Sequence, residues 1–290
     1  MRSIEITGVS MLPIDWNAAI RYAGLVKIAY AVAPSGAYGQ AEKDRITAAG
    51  YTFLQTLYGD DLATDADPHL GDVVSFGFLA VSAAKELVAV IRGTDTILEW
   101  LHDASFLMVP SPIAGGHGFT EDGFTAVYRS MRIGQADGTP LAKDSIKDYL
   151  DAGAATSVTV CGHSLGGALA TLLTLDVGLN TPCRSPTSYT YASPRTGDHF
   201  FAGAYNAAIP STYRIANRQD LVPKLPPIAP LPYEHVNTSY ELNPALNSVN
   251  PTIGCMHSLT TYLWLMGLLA GNNTLVLDPA CKFVAQAHIS

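Results

Sequence analysis

Apolar residues over 14–32 recur close to every 3.6 positions, which predicts an amphipathic helix, and a shorter helix is expected over 40–49. Residues 73–83 and 86–92 are strand-like, and Lys85-Glu86 at the bend predicts that they pair as a hairpin. Helical spacing returns over 121–131 and 141–150. Downstream, strand-like runs at 156–161, 187–192, 211–215 and 234–240 alternate with helical segments at 166–177, 199–208 and 258–270. Strand–helix–strand alternation in this order predicts an α/β class fold, with a mostly parallel central sheet and helices on both faces. No internal repeat, low-complexity tract or linker divides the chain, so one domain over 1–290 is expected. The proline-rich run 223–232 reads as a stiff surface connection.

Composition sharpens this picture. Of 290 residues, 48% are hydrophobic and only 14% charged, well below the roughly 25% charged residues of an average soluble domain. Mean hydropathy is +0.18. Such a chain must leave apolar atoms at its surface or hide them under something movable. A membrane-spanning helix is excluded as the explanation, because no run approaches the roughly 18 apolar residues required; the nearest, 259–270, is short and contains Thr260, Thr261 and Gly267. A net charge of −8, from 17 Lys+Arg against 25 Asp+Glu, argues against nucleic acid or an anionic membrane surface as partner. Residues 1–15 show no basic segment followed by an apolar one, which predicts either an intracellular protein or a secreted one whose signal has been removed. Of the four cysteines, Cys161 falls in a strand and is expected to be a buried thiol. The other three can form one disulfide at most, for which Cys255–Cys281 is the expected pair. No metal-ligand spacing occurs, and no cofactor is expected. Asn237-Thr238-Ser239 and Asn272-Asn273-Thr274 fit glycosylation sequons.

The segment Val158-Thr159-Val160-Cys161-Gly162-His163-Ser164-Leu165-Gly166-Gly167 carries the most chemistry. A β-branched run ends in Gly-x-Ser-x-Gly and a helix-forming stretch follows at once, the pattern of a nucleophile elbow that lifts a serine above a sheet. The turn strains the serine backbone and leaves no room for side chains two positions to either side, hence Gly162 and Gly166. The helix that follows directs its first N–H groups at a reacting carbonyl oxygen.

A serine needs a base to take its proton and an acid to orient that base, in this fold in the chain order Ser, Asp or Glu, His. Asp220 stands after the strand 211–215 and a polar turn, where a loop at the carboxyl edge of the sheet begins. Asp176 lies inside a helix, Asp198 is placed to cap one, and Glu234 and Glu241 flank a strand. Of the downstream histidines, His257 opens the helix 258–270 from a loop containing Gly254. His235 lies within a strand pattern suited to a structural hydrogen bond, and His288 is the third residue from the end. His163 must point away from the elbow, and His69, His102, His117 and His199 suit ordinary polar roles. The expected constellation is Ser164, Asp220 and His257.

Four segments together resemble the class 3 lipases typified by filamentous-fungal triacylglycerol lipases. They are Ile91-Arg92-Gly93-Thr94 through Trp100, the elbow 162–170, Ala192-Ser193-Pro194-Arg195-Thr196-Gly197 with Phe200-Phe201-Ala202, and Asn217-Arg218-Gln219-Asp220-Leu221-Val222-Pro223. With the His257 region they span about 76–265. The resemblance implies an α/β-hydrolase fold, Ser164 as nucleophile, Asp220 as acid and His257 as base. It further implies that the N–H groups of Thr94 and Leu165 form an oxyanion hole, with Asp103 fixing the Thr94 hydroxyl and a lid over about 95–109. The chain departs from the fungal pattern around the base: Met256, not Asp, precedes His257, and Tyr262 follows at five positions rather than three.

Within the implied lid, Ile97, Trp100 and Leu101 fall on one helical face with Leu98 at its border, and Glu99, His102 and Asp103 lie opposite. Phe106 and Leu107 extend the apolar character as candidates for an acyl groove. The expected function is therefore lipase-type hydrolysis of acylglycerol esters at an oil–water interface. A soluble-ester hydrolase such as a feruloyl esterase is disfavoured by the apolar lid. A phospholipase stays open because no head-group reader can be named, and a non-catalytic lipid-binding protein is disfavoured by the filled triad. Compartment and oligomeric state are not legible.

Overall fold

The computed structural model describes residues 12–34, 36–61, 72–94, 106–134 and 141–283. The expected lid residues Ile97, Leu98, Trp100 and Leu101, the support residue Asp103, and His69, His102 and His288 lie outside them.

Two helices, α1 (Trp16–Tyr30) and α2 (Gln40–Ala48), precede the first three strands, β1 (Tyr51–Asp60), β2 (Val73–Ser82) and β3 (Glu86–Ile91). The hairpin of β2 and β3 forms as expected, with Lys85 taking a positive φ of 62° at its bend. Next come the short strands β4 (Met108–Pro110) and β5 (Phe119–Glu121), helix α3 (Asp122–Ser130), strand β6 (Arg132–Ile133) and helix α4 (Ala142–Asp151). The central unit is β7 (Ser157–His163) leading into α5 (Leu165–Asn180), followed by β8 (Thr187–Tyr191), β9 (Gly197–Asp198) and α6 (His199–Ala208). β10 (Thr212–Asn217), β11 (Tyr233–Glu234), β12 (Ser239–Leu242), α7 (Ile253–His257) and α8 (Leu259–Ala270) complete the order.

Eight strands form one sheet in the order β12-β10-β8-β7-β3-β2-β1-β6. From β12 to β3 every pair is parallel; from β3 to β6 every pair is antiparallel. Period-2 alternation sends Leu87, Ala89, Ile91, Val158 and Val160 to one face, where α5 covers them. Val88, Val90 and Cys161 go to the other face, beneath α1 and α8. Every residue of α5 from Leu165 to Gly178 is buried, which explains why its sequence is apolar on all sides rather than striped. Each large side chain buried there contributes roughly 1.5–3 kcal/mol. No described helix is long and apolar enough to cross a membrane.

Two features differ from expectation. β1 was not legible, because register shifts between Phe53 and Gln55 and between Leu57 and Tyr58 break the alternation that marks a strand. The run expected as one strand over 234–240 is two: β11 joins a small four-stranded sheet (β11-β9-β5-β4), β12 joins the large one, and Asn237 at φ 49° turns the chain between them. Asp198 caps α6 by accepting from the Phe201 N–H at 2.8 Å, as expected. The cysteines follow expectation as well: Cys255 and Cys281 are bonded, and Cys161 is a buried free thiol.

Candidate active site

β7 ends at the carboxyl edge of the sheet and passes into α5 through Ser164, whose backbone is held at φ 60°, ψ −130°. Few residues other than glycine adopt that conformation, so the surroundings must enforce it. They do so by close packing. A Cβ on Gly162 would lie 2.0 Å from the Gly166 carbonyl oxygen, and one on Gly166 would lie 2.4 Å from that of Ile91. The Ser164 N–H donates to the Tyr191 carbonyl at 3.0 Å, tying the turn to β8.

The two other expected residues converge on this serine. His257 ends α7, immediately before the Ser258 cap of α8, and its Nε2 lies 2.9 Å from the Ser164 Oγ. Its Nδ1 lies 2.9 Å from Asp220 Oδ2. A carboxylate only accepts, so Nδ1 carries the hydrogen and Nε2 is left to accept from the serine hydroxyl. All three side chains are buried. Asp220 is fixed at both oxygens: the Val222 N–H donates to Oδ1 at 3.0 Å, and the Tyr262 hydroxyl donates to Oδ2 at 2.8 Å. The Tyr262 oxygen in turn accepts from the Asn217 N–H at 2.8 Å, and the Asn217 side chain donates to the Met256 carbonyl at 2.9 Å. Tyr262, which marked a departure from the fungal pattern, thus supports the acid of this site.

Sequence reasoning placed His163 away from the elbow but assigned it nothing. Its Nε2 lies 2.9 Å from the His257 carbonyl oxygen, and its Nδ1 lies 2.8 Å from the Tyr30 hydroxyl. The hydroxyl accepts from the Gly93 N–H at 2.9 Å, so its own hydrogen goes to Nδ1 and His163 donates through Nε2. Burial, reinforced by the neighbouring His257, pushes the His163 pKa well below the ordinary histidine value. A neutral ring here adds no repulsion when His257 takes a proton. The Gly93 carbonyl accepts from buried Arg92 at 2.9 Å, so both ends of this residue are held. Thr94 follows directly. Thr94 and Leu165 line a common cavity of about 180 Å³ with Arg92 and Gly93. The Leu165 N–H is the first amide of α5, a position without an intrahelical acceptor. Thr94 and His257 also line a second, larger cavity of about 580 Å³.

Asp176 and His235 take structural hydrogen bonds. Asp176 accepts from Tyr128 at 2.6 Å inside α5. His235 lies between β11 and β12, its Nε2 2.6 Å from the Pro223 carbonyl, and burial lowers its pKa to about 3. Phe106 and Leu107 precede β4; Leu107 is 57% exposed, and neither residue lines the two cavities. Their carbonyls accept from the Tyr233 hydroxyl at 2.9 and 3.1 Å.

A parallel sheet edge carrying a serine on a strained strand-to-helix turn, met by a histidine and an aspartate from later loops, is the arrangement of the α/β hydrolases. Solved structures agree on the fold: nonglycosylated Yarrowia lipolytica LIP2 lipase superposes with a TM-score of 0.62 at 21% identity, covering 80% of this chain and 83% of that one. Residues 88–229, just under half of the chain, match the family model described as lipase (class 3). Among relatives, phospholipase A1-II 7 of Oryza sativa subsp. indica is 32% identical over 215 residues, 64% of this chain and 52% of the relative. Secreted mono- and diacylglycerol lipase 1 of Fusarium solani is 30% identical over 162 residues, 56% of this chain and 45% of the relative. The chain spans about half the length of the curated relatives it matches.

Proposed function

We propose that this protein is a serine carboxylic ester hydrolase, a lipase that cleaves acylglycerol esters through an acyl-enzyme. The single observation carrying the reading is the unbroken line from Ser164 Oγ through His257 to Asp220, 2.9 Å at each step. His257 Nε2 takes the hydroxyl proton as Ser164 Oγ attacks the ester carbonyl, and Asp220 stabilises the imidazolium that forms. The N–H groups of Thr94 and Leu165 hold the oxyanion, a contribution of about 3 kcal/mol for each such donor. The imidazolium returns its proton to the departing alkoxide, and water repeats the sequence on the acyl-enzyme with His257 as base.

The domain is read as 1–290, with about 95–109 as a lid whose apolar face (Ile97, Trp100, Leu101, bordered by Leu98) covers the site in water and turns toward lipid at an interface. Phe106 and Leu107 serve as acyl contacts, and Asp103 supports the Thr94 hydroxyl. A second reading, phospholipase, is favoured by the likeness to the Oryza phospholipase A1. Both readings share one chemistry and differ in what occupies the third glycerol position.

Ser164→Ala tests the chemistry: diacylglycerol hydrolysis should vanish while the urea midpoint stays put, and retained turnover would remove the assignment. The lid is tested by initial rates on a short-chain triglyceride across its solubility limit. A step at the limit supports gating; a smooth rise refutes it.

A further inference from the structure

The larger cavity beside the triad has a wall that the ester chemistry does not use. It is lined by Thr94 and His257 together with Lys27 and Tyr30 from α1, Arg45 from α2 and Thr260 from α8. In a chain of net charge −8 with only 17 Lys and Arg, two cations face this cavity, and among the described residues no carboxylate lines it. Lys27 is exposed and has no hydrogen-bond or ion-pair partner among the described residues. Arg45 is partly committed: Nη2 reaches Glu42 at 2.8 Å and Nε the Ala41 carbonyl at 3.4 Å, which leaves Nη1 free to donate. The cavity lining thus carries two cations and no carboxylate among the described residues.

Position relative to the serine is set by α1. Lys27 and Tyr30 are three residues apart, on one helical face and about 4.5 Å apart along the axis. The Tyr30 hydroxyl sits close to the nucleophile: a Cβ built on Gly93 would lie 2.7 Å from it and 2.8 Å from the Ser164 Cβ. Lys27 is therefore about one helical turn from a group that packs beside Gly93 next to the nucleophile. A glycerolipid whose acyl ester meets Ser164 places the substituent of its far glycerol carbon at about that remove.

Building on the ester-hydrolase reading above, we infer that Lys27, assisted by Arg45, binds the phosphodiester of a glycerophospholipid substrate. Phosphate oxygens suit a cavity lined by two cations and no described carboxylate, and an ammonium recognises them as a point charge. A triacylglycerol, with a third acyl chain in that place, would strand both cations against hydrocarbon.

The experiment compares phosphatidylcholine with diacylglycerol of the same acyl chains, each in neutral-detergent micelles, and reads the ratio of their kcat/KM values. The protein should cleave phosphatidylcholine, and Lys27→Gln should lower the ratio about tenfold, the scale of one exposed charge-assisted hydrogen bond. Arg45→Gln should lower it less, and Lys27→Arg should largely restore it. Cleavage of diacylglycerol without phosphatidylcholine would overturn the inference and leave the hydrolase reading standing. So would a ratio unmoved by Lys27→Gln, or one that responds only when an anionic non-substrate lipid is added, since that signals attraction to a surface. Failure to cleave either lipid would remove the hydrolase reading and this inference with it.

Discussion

Removing the Tyr262 hydroxyl is the most informative small change. Tyr262→Phe keeps the ring and its packing, so no cavity is created. Two hydrogen bonds go: the 2.8 Å bond to Asp220 Oδ2 and the 2.8 Å bond accepted from the Asn217 N–H. Tyr262 is 0% exposed, so water cannot replace the hydroxyl without local opening. A charge-assisted bond contributes about 1.5–3 kcal/mol, and a buried N–H left without an acceptor costs about 1–3 kcal/mol. Some relaxation of Asn217 offsets part of this, so a stability loss of about 3 kcal/mol is expected. Catalysis should suffer less. Asp220 keeps its bonds to Val222 and His257, and only the freedom of its carboxylate increases. A fall in kcat of roughly tenfold with KM within twofold follows, if about 1.4 kcal/mol of orientation is lost. Urea unfolding gives the first number, and hydrolysis of a soluble p-nitrophenyl ester gives the second. An unchanged midpoint and unchanged kcat would refute the reasoning, because the hydroxyl would then be doing nothing for the acid.

Tyr30→Phe removes the hydroxyl that joins the Gly93 N–H to His163. Expected is a roughly 10–100-fold lower kcat with KM within twofold, as the Thr94 amide loses its anchor; a kcat within twofold of wild type would contradict this. Glu121, the N-cap of α3, has its carboxyl raised by burial from 4.5 to about 7. The folded protein keeps this proton while the unfolded chain releases it, so stability falls as pH rises from 4.5 to 7 and stays lower above that. Glu121→Gln retains the capping oxygen without the charge. Its stability relative to wild type should improve by about 3 kcal/mol between pH 4.5 and 8 in urea titrations, and an equal gap at both pH values would contradict the account.

Much of this arrangement could be read from the chain because its signals are local. The elbow needs glycine two residues either side of Ser164, and contacts of 2.0 and 2.4 Å show why nothing larger fits. Asp220 was legible from its place just past β10, and His257 from its place before an apolar helix. What stayed hidden depends on distant pairings. Tyr30 lies 133 residues from His163, and no pattern in α1 marks its hydroxyl as different from that of Tyr22. Tyr262 read as a departure because spacing alone cannot show that the first turn of α8 points a hydroxyl at Asp220. β1 was missed because its bulges break the alternation, and β11 and β12 were merged because Asn237 turns the chain without glycine or proline.

The central claim is a proton relay made by three side chains, and labelling with a fluorophosphonate tests it most directly. Intact mass should show one adduct, peptide mapping should put it on Ser164, and His257→Gln should slow its formation by at least about a hundredfold, since the hydroxyl then has no base. An adduct on another residue, or a His257→Gln protein that reacts at the wild-type rate, would contradict the account.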